Sequence, residues 1–179
     1  LTSCLSFDGR RAFFTSSRPS YPPADIWMSE RVGAGWSQPA KLPAPVNSDR
    51  DEFEVSIARD GTLYFSSSRD GGWGDLDIYQ AQFVGGEYPT AENLGPPINT
   101  SWGDDLPYIA PDESYLIVPI YGLEDSHGST DYYIVFRNPD DTWSDPINLG
   151  DKINTEGGLE YAPYVSPDGK YFFFMSGRS

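Results

Sequence analysis

Carboxylate side chains recur at a fixed distance from a turn in this sequence. Glu52, Asp104 and Glu160 each stand eight residues before an aspartate that opens a predicted turn, and Asp105 adds a neighbouring carboxylate. Converging carboxylates raise one another's pKa unless a cation neutralises them, and hard oxygen ligands suit Ca²⁺ or Mg²⁺ better than zinc. These four residues are therefore candidates for binding a cation or another ligand. The alternative is that each carboxylate caps backbone N–H groups in its own loop.

Catalytic chemistry has less support from the residues. The single histidine, His127, lies among Ser and Asp residues, and no G-x-S-x-G nucleophile motif occurs. Adjacency in sequence does not establish a triad, and one histidine with one cysteine does not make a zinc site. Two or three carboxylates can act on a glycosidic bond, so a glycoside hydrolase or lyase is the alternative function. The similarity of the repeated acids argues against it, because an acid and a base need unlike environments.

A second recurring pattern pairs an arginine with a later aspartate. Arg18 and Arg69 end predicted second strands, and Asp25 and Asp77 open the third strands that follow. We expect Arg18 to contact Asp25 and Arg69 to contact Asp77, so that each pair fastens a long hairpin loop. In the third unit Gly122 takes the place of the arginine.

The segments around these residues predict short strands joined by tight turns. The turns step along the chain by 52, 52 and 56 residues, at Asp8-Gly9, Asp60-Gly61, Asp112-Glu113 and Asp168-Gly169. An alternating strand precedes each turn and an aromatic or aliphatic strand follows it, which indicates a hairpin. A third strand beginning at aspartate and a fourth marked by "GWSQPAKL" or "TWSDPINLG" complete each unit.

Four strands in each unit predict an all-β fold, a β-propeller of four-stranded antiparallel blades. A β-sandwich is the alternative, but it gives no reason for near-identical units. The units span about 1–51, 52–103, 104–158 and 159–179, all in one domain, and the last is incomplete. About three and a half blades are present, whereas closure needs at least about four. We expect an internal piece of a longer propeller, or open edges covered by a second copy of the chain.

The repeated segments resemble a known family. "SPDGKYFFFMSGRS", "SSSRDGGWGDLDIY" and "WSDPINLG" are similar to the TolB-like, WD-like repeats of propellers in bacterial envelope proteins. The resemblance implies a non-catalytic binding or scaffold module in the periplasm or at the cell surface, with a protein or carbohydrate partner. It implies no particular cofactor, and Ca²⁺ or Mg²⁺ remains a candidate only through the acidic residues.

Charge and hydropathy exclude two classes of partner. Twelve basic and 27 acidic residues give a net charge of -15, which repels phosphate backbones and predicts no nucleic-acid binding. No run of 18 apolar residues occurs, so no membrane insertion is predicted.

The tryptophans divide into two groups. Trp36 and Trp143 lie in fourth-strand segments, where we expect them to pack against the blade face. Trp73 and Trp102 lie among Gly and Asp in loops. An exposed indole there could stack on a sugar or contact a partner protein, and the alternative is packing within the loop.

Overall fold

The computed structural model describes residues 3–17, 23–105 and 107–177. Every regular element in these ranges is a β-strand, so the all-β prediction is confirmed. Among the described residues, no helix has the length and apolar character needed to cross a membrane.

The strands form four antiparallel sheets in chain order. The first sheet contains β1 (Ser3–Leu5), β2 (Arg11–Ser16), β3 (Asp25–Val32), β4 (Gly35–Trp36) and β5 (Ala40–Lys41). The second contains β6 (Glu52–Ile57), β7 (Leu63–Ser67), β8 (Asp77–Ala81) and β9 (Glu92–Asn93). The third contains β10 (Tyr108–Ile109), β11 (Tyr115–Tyr121), β12 (Thr130–Phe136) and β13 (Ile147–Asn148). The fourth contains β14 (Glu160–Val165) and β15 (Phe172–Ser176), so it is half of a unit.

The aspartate at each predicted turn makes the same hydrogen bond. Its carboxylate accepts from the backbone N–H two residues later, and the four aspartates are Asp8, Asp60, Asp112 and Asp168. This local bond replaces a backbone turn and explains why aspartate recurs there. A serine hydroxyl and a backbone N–H both donate to Asp8, Asp112 and Asp168, and these hydrogen bonds lower the pKa of each.

The hydrophobic core is divided into three layers, each formed between neighbouring sheets. The three layers contain, in chain order, Phe13 with Phe65, Ile78 with Leu116, and Tyr132 with Phe172. Because each sheet covers the next, burial holds the sheets together in sequence order. This arrangement corresponds to the blades predicted from the repeat.

The fourth-strand tryptophans differ from one another. Trp143 packs against the second core layer, as expected. Trp36 is 48% exposed, so the expectation that it packs against the blade is wrong. The segment that carries it splits into the two short strands β4 and β5, and β4 extends past the sheet core on the end of β3.

The first strands of the four sheets line one cavity of about 830 Å³. Leu5, Ile57, Tyr108 and Tyr164 contribute to its wall, one from each sheet. Two of these strands carry a β-bulge where the chain turns into the cavity wall. In β6 the bulge holds Glu54 at a φ of +32°, and in β14 it holds Ala162 at +59°. Positive φ is unfavourable for both residue types, so the bulges are maintained by the surrounding packing.

Candidate functional site

The three repeated carboxylates lie where the chain enters a new sheet, and all are fully buried. Glu52 and Glu160 are the first residues of β6 and β14, and Asp104 precedes β10. Each accepts a hydrogen bond from a hydroxyl in the preceding connection: Ser48 at 2.6 Å from Glu52, Thr100 at 3.2 Å from Asp104, and Thr155 at 2.6 Å from Glu160. The backbone N–H groups of Ser48 and Thr100 also donate to these carboxylates. Each carboxylate therefore holds its own connection, as the loop-capping alternative expects.

Glu52 is in addition the partner of Arg69. The guanidinium lies 3.2 Å from Glu52 Oε1 and donates to the carbonyl oxygens of Pro45 and Val46. It also lies over the Tyr79 ring, with 4.6 Å between its carbon and the ring centroid. The expected Arg69–Asp77 pair is wrong, because Arg69 reaches sideways to the connection from the first sheet. Arg69 thus joins the second sheet to the connection that leaves the first sheet, whereas we expected it to fasten only the hairpin loop of its own sheet.

Asp77 fastens its hairpin loop through backbone groups. Its carboxylate accepts hydrogen bonds from the N–H groups of Trp73 and Gly74 and from the Asn93 side chain. Asp131 repeats this arrangement in the third sheet, with the N–H groups of His127 and Gly128 and the side chain of Asn148. These bonds to the ionised form outweigh burial and lower the pKa of Asp131. The loop needs an aspartate at this position whether or not an arginine accompanies it.

The first sheet departs from this pattern. Asp25 is buried and pairs with Lys41 of β5 at 2.7 Å. The predicted partner Arg18 lies outside the described residues, so the Arg18–Asp25 contact stays a prediction.

Within the described residues, Glu52 has a cationic partner, Arg69, whereas Asp104 has none. Gly122 occupies the position equivalent to Arg69, and the residue equivalent to Ser67 is Ile120. Burial raises the pKa of Asp104 to about 6, against the lowering effect of its hydrogen bonds with Thr100. A fully buried carboxylate without a positive partner favours its protonated form.

The predicted candidate Asp105 belongs to a different contact. Ser66 Oγ donates to the Asp105 carboxylate at 2.9 Å, and the Asp105 carboxyl group lies close to that of Glu54. Glu54 also lines the cavity. Burial, and then the hydrogen bond and negative charge of Asp105, raise the pKa of Glu54 far above its ordinary value. The raised pKa favours the protonated form of Glu54, which lies between the second and third sheets.

The part of the chain that the structure describes contains neither an assembled metal site nor a catalytic triad around His127. No group of three or more His, Cys, Asp or Glu side chains is arranged there to hold a metal ion. His127 Nδ1 lies 3.2 Å from the Asp131 carboxylate, which the loop N–H groups already occupy. Asp131 thus serves the loop, and His127 is half exposed beside it.

A set of buried asparagines was missed by the sequence analysis. Each side chain bonds both the N–H and the C=O of one residue in a third strand; the pairs are Asn47 with Ile26, Asn99 with Ile78, and Asn154 with Tyr132. The recurring "VNS", "INT" and "INT" segments carried this signal at positions 46–48, 98–100 and 153–155. Their regular spacing could have identified the asparagines as structural.

Successive antiparallel sheets, cores between neighbouring sheets and first strands around one cavity define a β-propeller fold. The described residues form three blades and half of a fourth.

Solved structures share this fold. TolB from Acinetobacter baumannii matches 94% of this chain with 35% of its own length, at 15% identity and a TM-score of 0.58. Hydrazine synthase from Kuenenia stuttgartiensis matches 96% of this chain with 48% of its own length, at 18% identity and a TM-score of 0.58. The chain thus spans about a third to a half of the structures it matches. No family model matches the chain, and no curated protein gives a significant match.

Proposed function

We propose that this chain is a non-catalytic binding or scaffold module of the bacterial cell envelope. The observation that carries the proposal is the contrast between its carboxylates and its cavity. Glu52, Asp104 and Glu160 are buried and hydrogen-bonded within their own connections. The cavity of about 830 Å³ has the size of an ordinary ligand site and is lined largely by apolar and aromatic side chains.

The cavity is the proposed binding surface. Exposed apolar side chains on its wall and rim include Leu5, Phe7 and Tyr164. An apolar wall of this kind suits a segment of a partner protein better than a charged small molecule. The net charge of -15 favours a partner with basic residues around its apolar contact.

The glycoside hydrolase or lyase alternative has weaker support. Glu52, Asp104 and Glu160 are each buried and bonded within their own connection, whereas a glycosidase needs two carboxyl groups that face one glycosidic bond. The proposed compartment, periplasm or cell surface, is supported by the repeat resemblance and by the TolB-like fold.

Site-specific photo-crosslinking tests the proposal. A photoreactive amino acid is placed at Leu5 on the cavity wall, or as a matched control at Val32 on the far end of β3; the two are similarly exposed at 58% and 64%. With an envelope extract from the source organism, we expect discrete protein adducts at Leu5 and none at Val32. Adducts at Val32 alone, or equal adducts at both, would overturn the cavity as the binding surface. Release of reducing sugar from polysaccharides, lost on Glu54→Gln, would overturn the non-catalytic assignment.

A further inference from the structure

Three large aromatic side chains are exposed at one end of the second and third blades. Trp73 is 60% exposed, Trp102 is 55% exposed and Tyr121 is 42% exposed. We call these three residues the aromatic platform. None of them lines the cavity described above.

The three residues share one end because of how the strands connect. Trp73 lies in the loop from β7 to β8, and Trp102 lies in the connection from β9 to β10. The N–H of Asp75 donates to the Trp102 carbonyl oxygen at 3.0 Å, and Leu76 pairs with Gly103 in a parallel bridge. Tyr121 ends β11, and its ring centroid lies 5.1 Å from that of Trp102.

Both indoles stand on loops that buried acids fix in place. The backbone N–H of Trp73 donates to the Asp77 carboxylate at 2.7 Å. The backbone N–H of Trp102 donates to Thr100 Oγ1, and this hydroxyl group donates in turn to the Asp104 carboxylate. Gly74 lies directly on the Trp102 carbonyl oxygen, because a Cβ at position 74 would come within 1.6 Å of that atom. Because these contacts fix the backbone that carries both indoles, little backbone ordering is needed when a ligand binds.

Several exposed aromatic side chains at one end of two adjacent blades are the kind of surface that marks an interaction site. The chemistry around them is mixed, since Asp70 and Asp75 of the same loop are also exposed. A pyranose ring has a matching character, with C–H groups on its flat face and hydroxyl groups around its edge. The C–H face packs on an aromatic ring while the hydroxyl groups donate to carboxylates. The net charge of -15 disfavours an anionic glycan.

We propose that the aromatic platform is a binding site for a neutral oligosaccharide, whose sugar rings stack on Trp73 and Trp102. The site is separate from the cavity, so its presence or absence does not depend on the proposed protein-binding surface. Because adjacent blades supply the two indoles, the site should recognise at least two linked sugar residues.

Calorimetric titration of the whole chain tests the proposal, with cellohexaose and chitohexaose as flat neutral probes. We expect saturable binding of at least one probe with a Kd on the order of 0.1–1 mM. Trp73→Ala and Trp102→Ala should each weaken binding at least about tenfold, while Trp73→Phe should retain most of it. The matched control is Trp36→Ala, since Trp36 is 48% exposed at the opposite end of the first blade and should leave binding unchanged.

The outcomes that overturn the proposal are equally defined. Absence of saturable binding by the wild-type chain with both probes would refute it, as would binding that Trp73→Ala and Trp102→Ala leave intact. Equal loss in Trp36→Ala would show a nonspecific aromatic effect and would also refute it. Thermal melts of every variant keep the comparison valid, because replacing these exposed rings should leave the melting temperature close to that of the wild type.

Discussion

Asp104 and Glu52 occupy equivalent positions in successive units, but their side chains have different partners. Among the described residues, Glu52 has an arginine, two serine hydroxyls and a backbone N–H around its carboxylate, whereas the Asp104 carboxylate accepts hydrogen bonds from Thr100 only. Both side chains are fully buried. Burial raises the pKa of Asp104 to about 6 from its ordinary 3.8, and the negative charges of Asp77 and Asp105 add to this effect.

The raised pKa of Asp104 predicts that the free energy of unfolding depends on pH. The folded chain holds the Asp104 proton more tightly than the unfolded chain, so the unfolded state releases its proton first as the pH rises. The free energy of unfolding should therefore fall between about pH 4 and pH 6, by on the order of 2–3 kcal/mol from this residue. Asp104→Asn should remove that fall and be more stable than the wild type at pH 7. Urea unfolding of both proteins at pH 4 and pH 7 measures the difference, and an unchanged pH dependence would contradict the assignment.

Replacing Arg69 should lower the stability of the chain, in contrast to the replacement of Asp104. Its side chain is 16% exposed and Glu52 is fully buried, so Arg69→Ala leaves a buried carboxylate without its cation. We expect a loss of about 3 kcal/mol in the free energy of unfolding. Arg50→Ala is the matched control, since the Arg50–Asp70 pair is exposed and should contribute less than about 1 kcal/mol. Equal effects of the two variants would show that the buried pair adds nothing.

At the scale of elements, the buried asparagines join each third strand to the connection that leaves the blade. Asn99 bonds both backbone groups of Ile78, a residue in the core layer between the second and third blades. Asn99→Ala would leave a buried N–H and a buried C=O unpaired, at a cost of about 2–4 kcal/mol. Asn138 is the control, because it is less buried and its side chain bonds Thr142 Oγ1 in its own turn, so Asn138→Ala should be nearly neutral. Hydrogen exchange should speed up at Ile78 in the first variant, and unchanged exchange there would contradict this role.

Local structures could be predicted from the sequence, whereas contacts between residues that are distant in the sequence could not. The turn aspartates and the strand order were predictable, because an Asx turn and a hairpin are local structures. The contact of Arg69 with Glu52 was not predictable, because Glu52 lies 17 residues earlier in the sequence. The two side chains meet because Glu52 pairs with Ser67 in the sheet. The Glu54–Asp105 contact was missed for a similar reason, because a bulge in β6 turns Glu54 into the cavity wall.

At the scale of the whole molecule, burial between successive sheets leaves the last one uncovered on one side. In β14 and β15, Tyr164, Phe173 and Met175 are about half exposed. These side chains are the equivalents of residues that the next sheet covers elsewhere in the chain. Contact with a further blade or with a second copy is the expectation made from the sequence, and it stays a prediction. Light scattering across a range of protein concentrations distinguishes a monomer from a self-associating chain.

We propose that the repeated carboxylates Glu52, Asp104 and Glu160 fasten the blades and do not form a cation site. A thermal melt with calcium, with magnesium and with a chelator tests this claim most directly, on the wild type, on Glu52→Gln and on a Glu52→Gln, Asp104→Asn double variant. We predict a melting temperature that none of the three additions changes, and a lower melting temperature for Glu52→Gln because it loses its ion pair with Arg69. A wild-type melting temperature that rises with cation concentration, and fails to rise in the double variant, would contradict the claim and establish a cation site.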